Sequence, residues 1–225
     1  MIYELNRLYN LDCMAAMAQI PDKYFQLAII DPPYGIGESG KGNQRRSRLA
    51  KSKNYKPYYG GDKSAPPKEY FTELFRVSDN QIIFGANHFI DRIPFNSSCW
   101  IVWDKENGGN DFADCELAWT SFNTAVRKFR FKWQGMLQGD MQHKEIRIHP
   151  NQKSVKLYEW LLTHYAKPGD KILDTHVGSA SSLIACYNLG FDFLGFEIAR
   201  FYFEQASQRI KEAQAQLRLS DFMKI

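Results

Sequence analysis

The sequence predicts an α/β fold, a doubly wound and mostly parallel sheet with helices on both faces. Three observations predict it. Strand-length apolar runs alternate with helical periodicity in the C-terminal third, glycine or proline stops separate them, and acidic residues stand where the strands end. With 225 residues, 44% of them hydrophobic and 24% charged, the chain can build one sizeable core but not two independent ones. A single domain over 1–225 is therefore expected.

The elements follow in order. Tyr24 to Ile30 (YFQLAII) reads as a buried strand, which Asp31-Pro-Pro-Tyr-Gly must end because proline cannot continue a central ladder. Residues 35–67 are rich in Gly, Lys, Ser, Asn and Pro and read as a long functional loop. A helix is expected over Pro67 to Arg76, then strands over Gln81 to Gly85, Cys99 to Trp103 and Cys115 to Trp119. Residues 120–148 form a polar and aromatic insert. From Gln152 to Tyr165, apolar residues recur with helical spacing up to the stop at Pro168-Gly169. Lys171 to Leu173 is a short strand ending at Asp174. A glycine turn and the helix Ser181 to Leu189 follow, closed by Gly190. Phe191 to Phe196 is the next strand, ending at Glu197, and a last helix runs from about Arg200. In parallel sheets ligands bind beyond the carboxyl ends of strands. Asp31, Asp174 and Glu197 all fall at such ends.

Bulk properties narrow the function. No apolar run reaches membrane-spanning length, and the start, MIYELNRLYN, lacks a signal-peptide pattern, so no membrane partner is expected and the cytoplasm is the expected address. The four cysteines (Cys13, Cys99, Cys115, Cys186) form no C-x-x-C pair, and no histidine spacing suggests a metal site. The net charge is only +4, but it is unevenly distributed. Lys41, Arg45, Arg46, Arg48, Lys51, Lys53 and Lys56 occur without an intervening acid. In Arg127-Lys-Phe-Arg-Phe-Lys-Trp133 cations alternate with aromatics. Separately these are a solvated loop and a charge-protected edge strand. Together they favour a polyanionic partner, gripped by Lys41, Arg45, Arg46, Arg48, Lys51, Arg127, Arg130 and Lys132. Phe129, Phe131 and Trp133 are the aromatics best spaced to serve as base platforms.

The strongest chemical signal is Asp31-Pro32-Pro33-Tyr34. An exocyclic amine on a nucleobase is a poor nucleophile because its lone pair is delocalised into the ring. A site that alkylates it needs acceptors for both amino protons. Asp31 supplies one and relieves the developing positive charge. The rigid Pro-Pro step can aim a backbone carbonyl as the second. Tyr34 offers a face for a base turned out of the duplex, a contact worth about 1–3 kcal/mol. The partner motif is Asp174-Thr-His-Val-Gly-Ser-Ala180, a strand end, a tight turn and a helix start, which make a nucleotide-type cradle. Glu197 follows at the interval typical of a ribose-binding acid. The cradle has no three-glycine pyrophosphate pattern, which suits a ligand with one sugar and no phosphates.

In these motifs the chain resembles the DNA amino-methyltransferases of the permuted β group, the N6-adenine and N4-cytosine DNA methylases, in which D-P-P-Y precedes the cofactor motif. Asn10-Leu-Asp-Cys13 resembles the family's N-terminal segment, His149-Pro-Asn-Gln-Lys153 its H-P-T-x-K-P segment, and residues 174–180 its D-P-F-x-G-S-G turn. The departures in that turn are Thr175, His176 and Ala180. The resemblance implies a Rossmann-like, S-adenosylmethionine-dependent methyltransferase fold. It also implies double-stranded DNA as partner and S-adenosyl-L-methionine as cofactor, the latter held by Asp12, Cys13, Asn151, Lys153, Asp174, His176, Gly178, Ser179 and Glu197. Asp at position 31 tilts the acceptor toward adenine N6. Cytosine N4 or an RNA base are the alternatives, and a catalytically silent DNA-binding subunit is the reading from another class. The small 120–148 insert suggests a short recognition site or a homodimer; a cognate restriction nuclease is a further candidate partner. Gly35-Ile-Gly-Glu-Ser-Gly40 satisfies G-x-G-x-x-G by accident: Gly42 stands where a phosphate loop needs Ser or Thr, and no apolar helix follows.

Overall fold

A computed structural model describes residues 3–37, 55–56, 62–108, 113–134 and 137–222, with side chains to residue 216. The loop cations Lys41, Arg45, Arg46, Arg48 and Lys51 lie outside the described residues. One eight-stranded sheet organises the chain. Its strands are β1 (Arg7–Tyr9), β2 (Phe25–Ile30), β3 (Ser78–Phe84), β4 (Trp100–Asp104), β5 (Cys115–Thr120), β6 (Arg127–Arg130), β9 (Lys171–Asp174) and β10 (Asp192–Phe196). They lie in the order β1-β10-β9-β2-β3-β5-β4-β6. The run from β1 to β3 is wholly parallel. β5 pairs antiparallel with both β3 and β4, and β6 returns parallel to β4. Residues β7 (Trp133–Gln134) and β8 (Leu137–Gln138) form a separate two-stranded pair.

Helices cover both faces because the central strands are apolar on both. Along β2, Ala28 and Ile30 enter one core while Leu27 and Ile29 enter the other. The first core is closed by α1 (Cys13–Met17) and α2 (Lys68–Val77), whose Tyr70, Phe71, Leu74 and Val77 are buried at helical spacing. The second is closed by α3 (Val155–Tyr165), α4 (Ser181–Leu189) and α5 (Arg200–Phe222). The α3 helix starts where the Ser154 hydroxyl accepts the Leu157 N–H, and α4 stops at Gly190, left-handed at φ +75°. No helix among the described residues is long and apolar enough to cross a membrane.

Three details differ from the sequence reading. β1 is too short and polar to announce itself, and exists through its register with Leu194, Gly195 and Phe196. β3 begins at Ser78 rather than Gln81, because Ser78 and Asn80 pair with Phe25 and Leu27 of β2. The 120–148 insert is not separate from the sheet: Arg127–Arg130 form its outer strand.

The base of the 35–67 loop is clasped to the body. The Asp62 carboxylate accepts the Gly35 and Ile36 N–H groups at 2.9 and 3.2 Å, and its carbonyl accepts that of Gly37 at 2.8 Å. Arg92 donates to the Ala65 and Pro66 carbonyls at 2.6 and 2.7 Å, and the Tyr202 hydroxyl reaches the Lys56 carbonyl. The described backbone amides of the G-x-G segment thus serve Asp62 of the chain itself, two through its carboxylate and one through its carbonyl.

Close packing holds α4 and the turn before it onto the sheet. A Cβ on Gly195 would stand 2.7 Å from both Leu183 and Val177. Gly195→Ala should therefore cost about 1–3 kcal/mol, read as a lower denaturant midpoint with an unchanged slope.

Candidate active site

Because β2, β9 and β10 are parallel neighbours, their carboxyl ends share one rim of the sheet. Asp31 follows β2, Asp174 ends β9 and Glu197 follows β10, so three carboxylates meet there. β5 runs the other way, so its beginning reaches the same rim and brings Glu116, which pairs across from Trp103. Lys105, just past β4, arrives beside it.

Asp31 is gripped on both oxygens. The Tyr34 hydroxyl donates to Oδ1 at 2.7 Å, and the Lys153 ammonium sits 2.6 Å from Oδ2. Lys153 Nζ also lies 3.0 Å from Glu116 Oε2 and donates to the Tyr34 oxygen at 3.2 Å. The other Glu116 oxygen pairs with Lys105. The Lys153 side chain is only 4% exposed, so its charge is stabilised by these two carboxylates rather than by water. Its backbone carbonyl accepts the Ser181 hydroxyl at 2.7 Å, which ties the segment before α3 to the start of α4. Expected beside the cofactor turn, Lys153 touches that turn with its backbone and sends its ammonium to Asp31.

Charge and burial set the protonation states. The carboxylates beside Lys153 hold its pKa above the ordinary value against the effect of burial. Burial would raise Glu116, but the Lys153 and Lys105 charges pull it down to about 2. Asp31 is raised by burial, with Glu116 adding to the rise and Lys153 opposing it. Burial lifts Asp174 to about 7, against the Ser182 hydroxyl and His176 N–H that it accepts. His176 is pushed down to about 4 by burial and stays neutral near pH 7, its ring edge-on to Tyr70.

The Tyr34 ring lies against Gly85, where a Cβ would come within 2.1 Å of it, and the glycine also holds φ +68°. The exposed His88 ring stacks on Tyr34 at 5.3 Å between centroids and 17° between planes.

Along the rim toward β10, Glu197 accepts the Gly178 N–H at 2.9 Å and the Ala199 N–H at 2.7 Å, so it shapes the 174–180 turn. His149 packs near Gly178 and accepts the Asn151 N–H at 3.2 Å. Asp12 caps α1 through the Met14 N–H at 2.7 Å, and its charge is felt at His176. Cys13 next to it is pushed up to about 12 by burial and by Asp12. Ser179 is buried, its hydroxyl 3.1 Å from that of Ser181 and its carbonyl held by Arg209 at 2.7 Å. Ala180, where the resemblance has glycine, holds a left-handed φ of +63° with its methyl buried. Among the described residues no group of three or more His, Cys, Asp or Glu could hold a metal ion.

The basic strand is a different matter. β6 is the sheet's edge, and Arg130 is committed to Glu106 at 2.7 Å and Asp104 at 3.7 Å. Arg127 opens the strand opposite Ile101, away from the rim, whereas Arg130 and Lys132 lie toward it. Phe129 and Phe131 stack on each other at 6.0 Å, and Phe129 packs against Trp160 at 5.4 Å. Trp133 is buried, with its indole N–H on the Gln152 carbonyl at 2.7 Å. These rings belong to the second core, not to a base platform, because an edge strand buries its apolar face on α3. Glu116, Lys105 and His88 escaped the sequence reading; the one signal was a lone acid inside the apolar run Cys115–Trp119.

Residues 114–208 match the family model described as DNA methylase. The Type II methyltransferase M.HinfI of Haemophilus influenzae is 25% identical over 92% of this chain and 69% of its own. In these matches the chain is similar to the DNA methylases. Two solved structures share the fold. The M1.HpyAVI–SAM complex has a TM-score of 0.56 at 19% identity, covering 91% of this chain and 98% of its own. PvuII DNA methyltransferase, titled cytosine-N4-specific, has a TM-score of 0.57 at 12% identity, covering 92% and 90%. The doubly wound, mostly parallel fold is therefore that of the methyltransferases.

The Glu116 pKa carries a pH signature. Its folded value lies below the ordinary 4.5, so its contribution to stability is present above that pH and is lost as pH falls toward 2. Between pH 5.5 and 2.5 the parent should lose on the order of 3 kcal/mol more than Glu116→Gln, read from urea midpoints at each pH. Equal losses would show that the Lys153–Glu116–Lys105 array does not hold that carboxylate ionised.

Proposed function

We propose that this protein transfers a methyl group from S-adenosylmethionine to the exocyclic amino group of a base in DNA, with N6 of adenine as the leading acceptor. The observation that carries the reading is the shared rim: the Asp31-Pro-Pro-Tyr34 turn and the Asp174–Ala180 turn leave adjacent parallel strands in the same direction. Type II methyltransferases among the relatives support the reaction class; a cognate nuclease is the partner such a role in DNA modification would have.

The cofactor turn suits a nucleoside without phosphates. It presents Asp174, Glu197 and Asp12, acceptors for ammonium and hydroxyl donors that would repel phosphate. Asp12, Cys13, Asn151, Asp174, His176, Gly178, Ser179 and Glu197 are assigned to hold S-adenosylmethionine, with the backbone of Lys153 supporting the turn. When bound, that cofactor supplies an electrophilic methyl group on sulfur.

The chain's own residues do the rest. Asp31 accepts one amino proton and the Pro32 carbonyl the other, drawing the nitrogen lone pair out of ring conjugation. Asp31 also takes the proton shed as the amine is alkylated. Pro33 fixes the turn, and Tyr34 stacks the base; the flat His88 ring already seated on Tyr34 supports such a place. DNA phosphates would be met by Lys41, Arg45, Arg46, Arg48 and Lys51 and by Arg127, Arg130 and Lys132, so binding should weaken steeply with salt.

Adenine is preferred because position 31 is Asp. A second reading, N4 of cytosine, is favoured by the likeness to PvuII DNA methyltransferase. Labelled methyl transfer to mixed-sequence DNA, followed by digestion to nucleosides, separates the two. N6-methyl-2′-deoxyadenosine is the expected product, and Asp31→Ala should lower the rate by at least about a hundredfold. Label on RNA alone, or an unimpaired variant, would overturn the assignment. A chain that binds donor yet transfers nothing to any DNA would be the silent subunit instead.

A further inference from the structure

The grip on Asp31 raises a chemical problem. Both of its oxygens are engaged, one by the Tyr34 hydroxyl and one by the Lys153 ammonium; each keeps a lone pair, but the positive charge held against Oδ2 weakens it as an acceptor for an amino proton. Lys153 must loosen when the base arrives, yet it is buried and cannot give up a carboxylate for nothing. Glu116 supplies the alternative. Its Oε2 is buried 3.0 Å from Lys153 Nζ, a close ion pair less well aligned as a hydrogen bond than the 2.6 Å contact to Asp31. Lys105 pins the other oxygen. Glu116 thus stands with one acceptor facing the ammonium and able to tighten on it.

We propose that Glu116 is a positioning residue: it takes over Lys153 when the substrate amino group claims Asp31 Oδ2, and Lys105 holds it in place for the exchange. This rests on the methyl-transfer reading above. Only hydrogen-bond partners change: the ammonium keeps its three protons and moves from one carboxylate to the other, and the vacated oxygen accepts the incoming N–H. The groups facing Asp31 from the surrounding elements are Tyr34 in its own turn, Glu116 on β5, Lys153 before α3, Tyr158 on α3 and Asp174 on β9. Lys105 acts through Glu116, and Arg147 also feels the charge of Glu116. Of these, Glu116 and Lys153 are the carboxylate and the cation that act most strongly on Asp31.

The test compares Glu116→Gln, Glu116→Asp and Lys105→Met with the parent. With glutamine at 116, Lys153 leans on Asp31 alone. The turnover number should fall about ten- to a hundredfold while the KM for S-adenosylmethionine stays within about twofold. The acid limb of the pH–rate profile should move to lower pH, because a negative neighbour of Asp31 has gone. Glu116→Asp should restore most of the rate. Lys105→Met should move the acid limb the opposite way, since Glu116 then competes harder for Lys153; this arm serves if Glu116→Gln does not fold. The Asp31 carboxyl titration, followed by carbon NMR without substrate, should shift in the same two directions and needs no activity. An unmoved Asp31 titration in both variants, or a rate loss that Glu116→Asp does not rescue, overturns the proposal. Asp31→Ala keeps the claims apart. A parent as inactive as that variant on every DNA refutes methyl transfer itself, whereas an active parent with an unaltered Glu116→Gln profile refutes only the role of Glu116.

Discussion

A buried ammonium between two carboxylates is the constraint on which the rest of the site depends. Lys153 has almost no access to water, so it can exist charged only because Asp31 and Glu116 converge on it. Those acids come from a strand end on one side and an antiparallel strand on the other, and the lysine from the segment leading into a helix. Removing either acid would leave the ammonium leaning on the other alone, and removing both would strand a buried charge, typically at a cost of about 3–5 kcal/mol. The ion cluster therefore joins three distant stretches of chain and sets the electrical environment of the Asp-Pro-Pro-Tyr turn.

The sheet order explains why such a cluster forms at this rim. Four parallel pairings in a row, from β1 to β3, send every carboxyl end the same way. Acids that follow those strands accumulate there, which favours cationic or donor-rich ligands. The reversal at β5 adds Glu116 from a strand's beginning, and the return of direction at β4 adds Lys105 as a counter-charge. Without the reversal, the rim would carry carboxylates with fewer cations to balance them.

Much of this was legible in the sequence. Tyr24 to Ile30 announced β2 because both of its faces are apolar, and α4 was bounded correctly because Ser181 and Gly190 carry local signals. The Asp-Pro-Pro-Tyr turn and the glycine turn were readable because each is contiguous. Glu116, Lys105 and His88 were not, since their roles come from pairing between strands far apart in the chain, and a single acid in an apolar run says nothing about its partner. The alternation of charge and aromatics over 127–133 looked like a nucleic-acid surface. The fold uses its rings to cover α3 and commits Arg130 to neighbouring acids, since an edge strand buries one face and charges the other.

The clasp at the base of the 35–67 loop has a corollary for robustness. Asp62, Arg92 and Tyr202 fasten the segments that leave and re-enter the body. These anchors come from three separate places in the chain, so the loss of one leaves the others in force. Gly35 and Ile36, next to Tyr34, are held by a carboxylate that takes no part in the ion cluster, which gives the catalytic turn a second point of support.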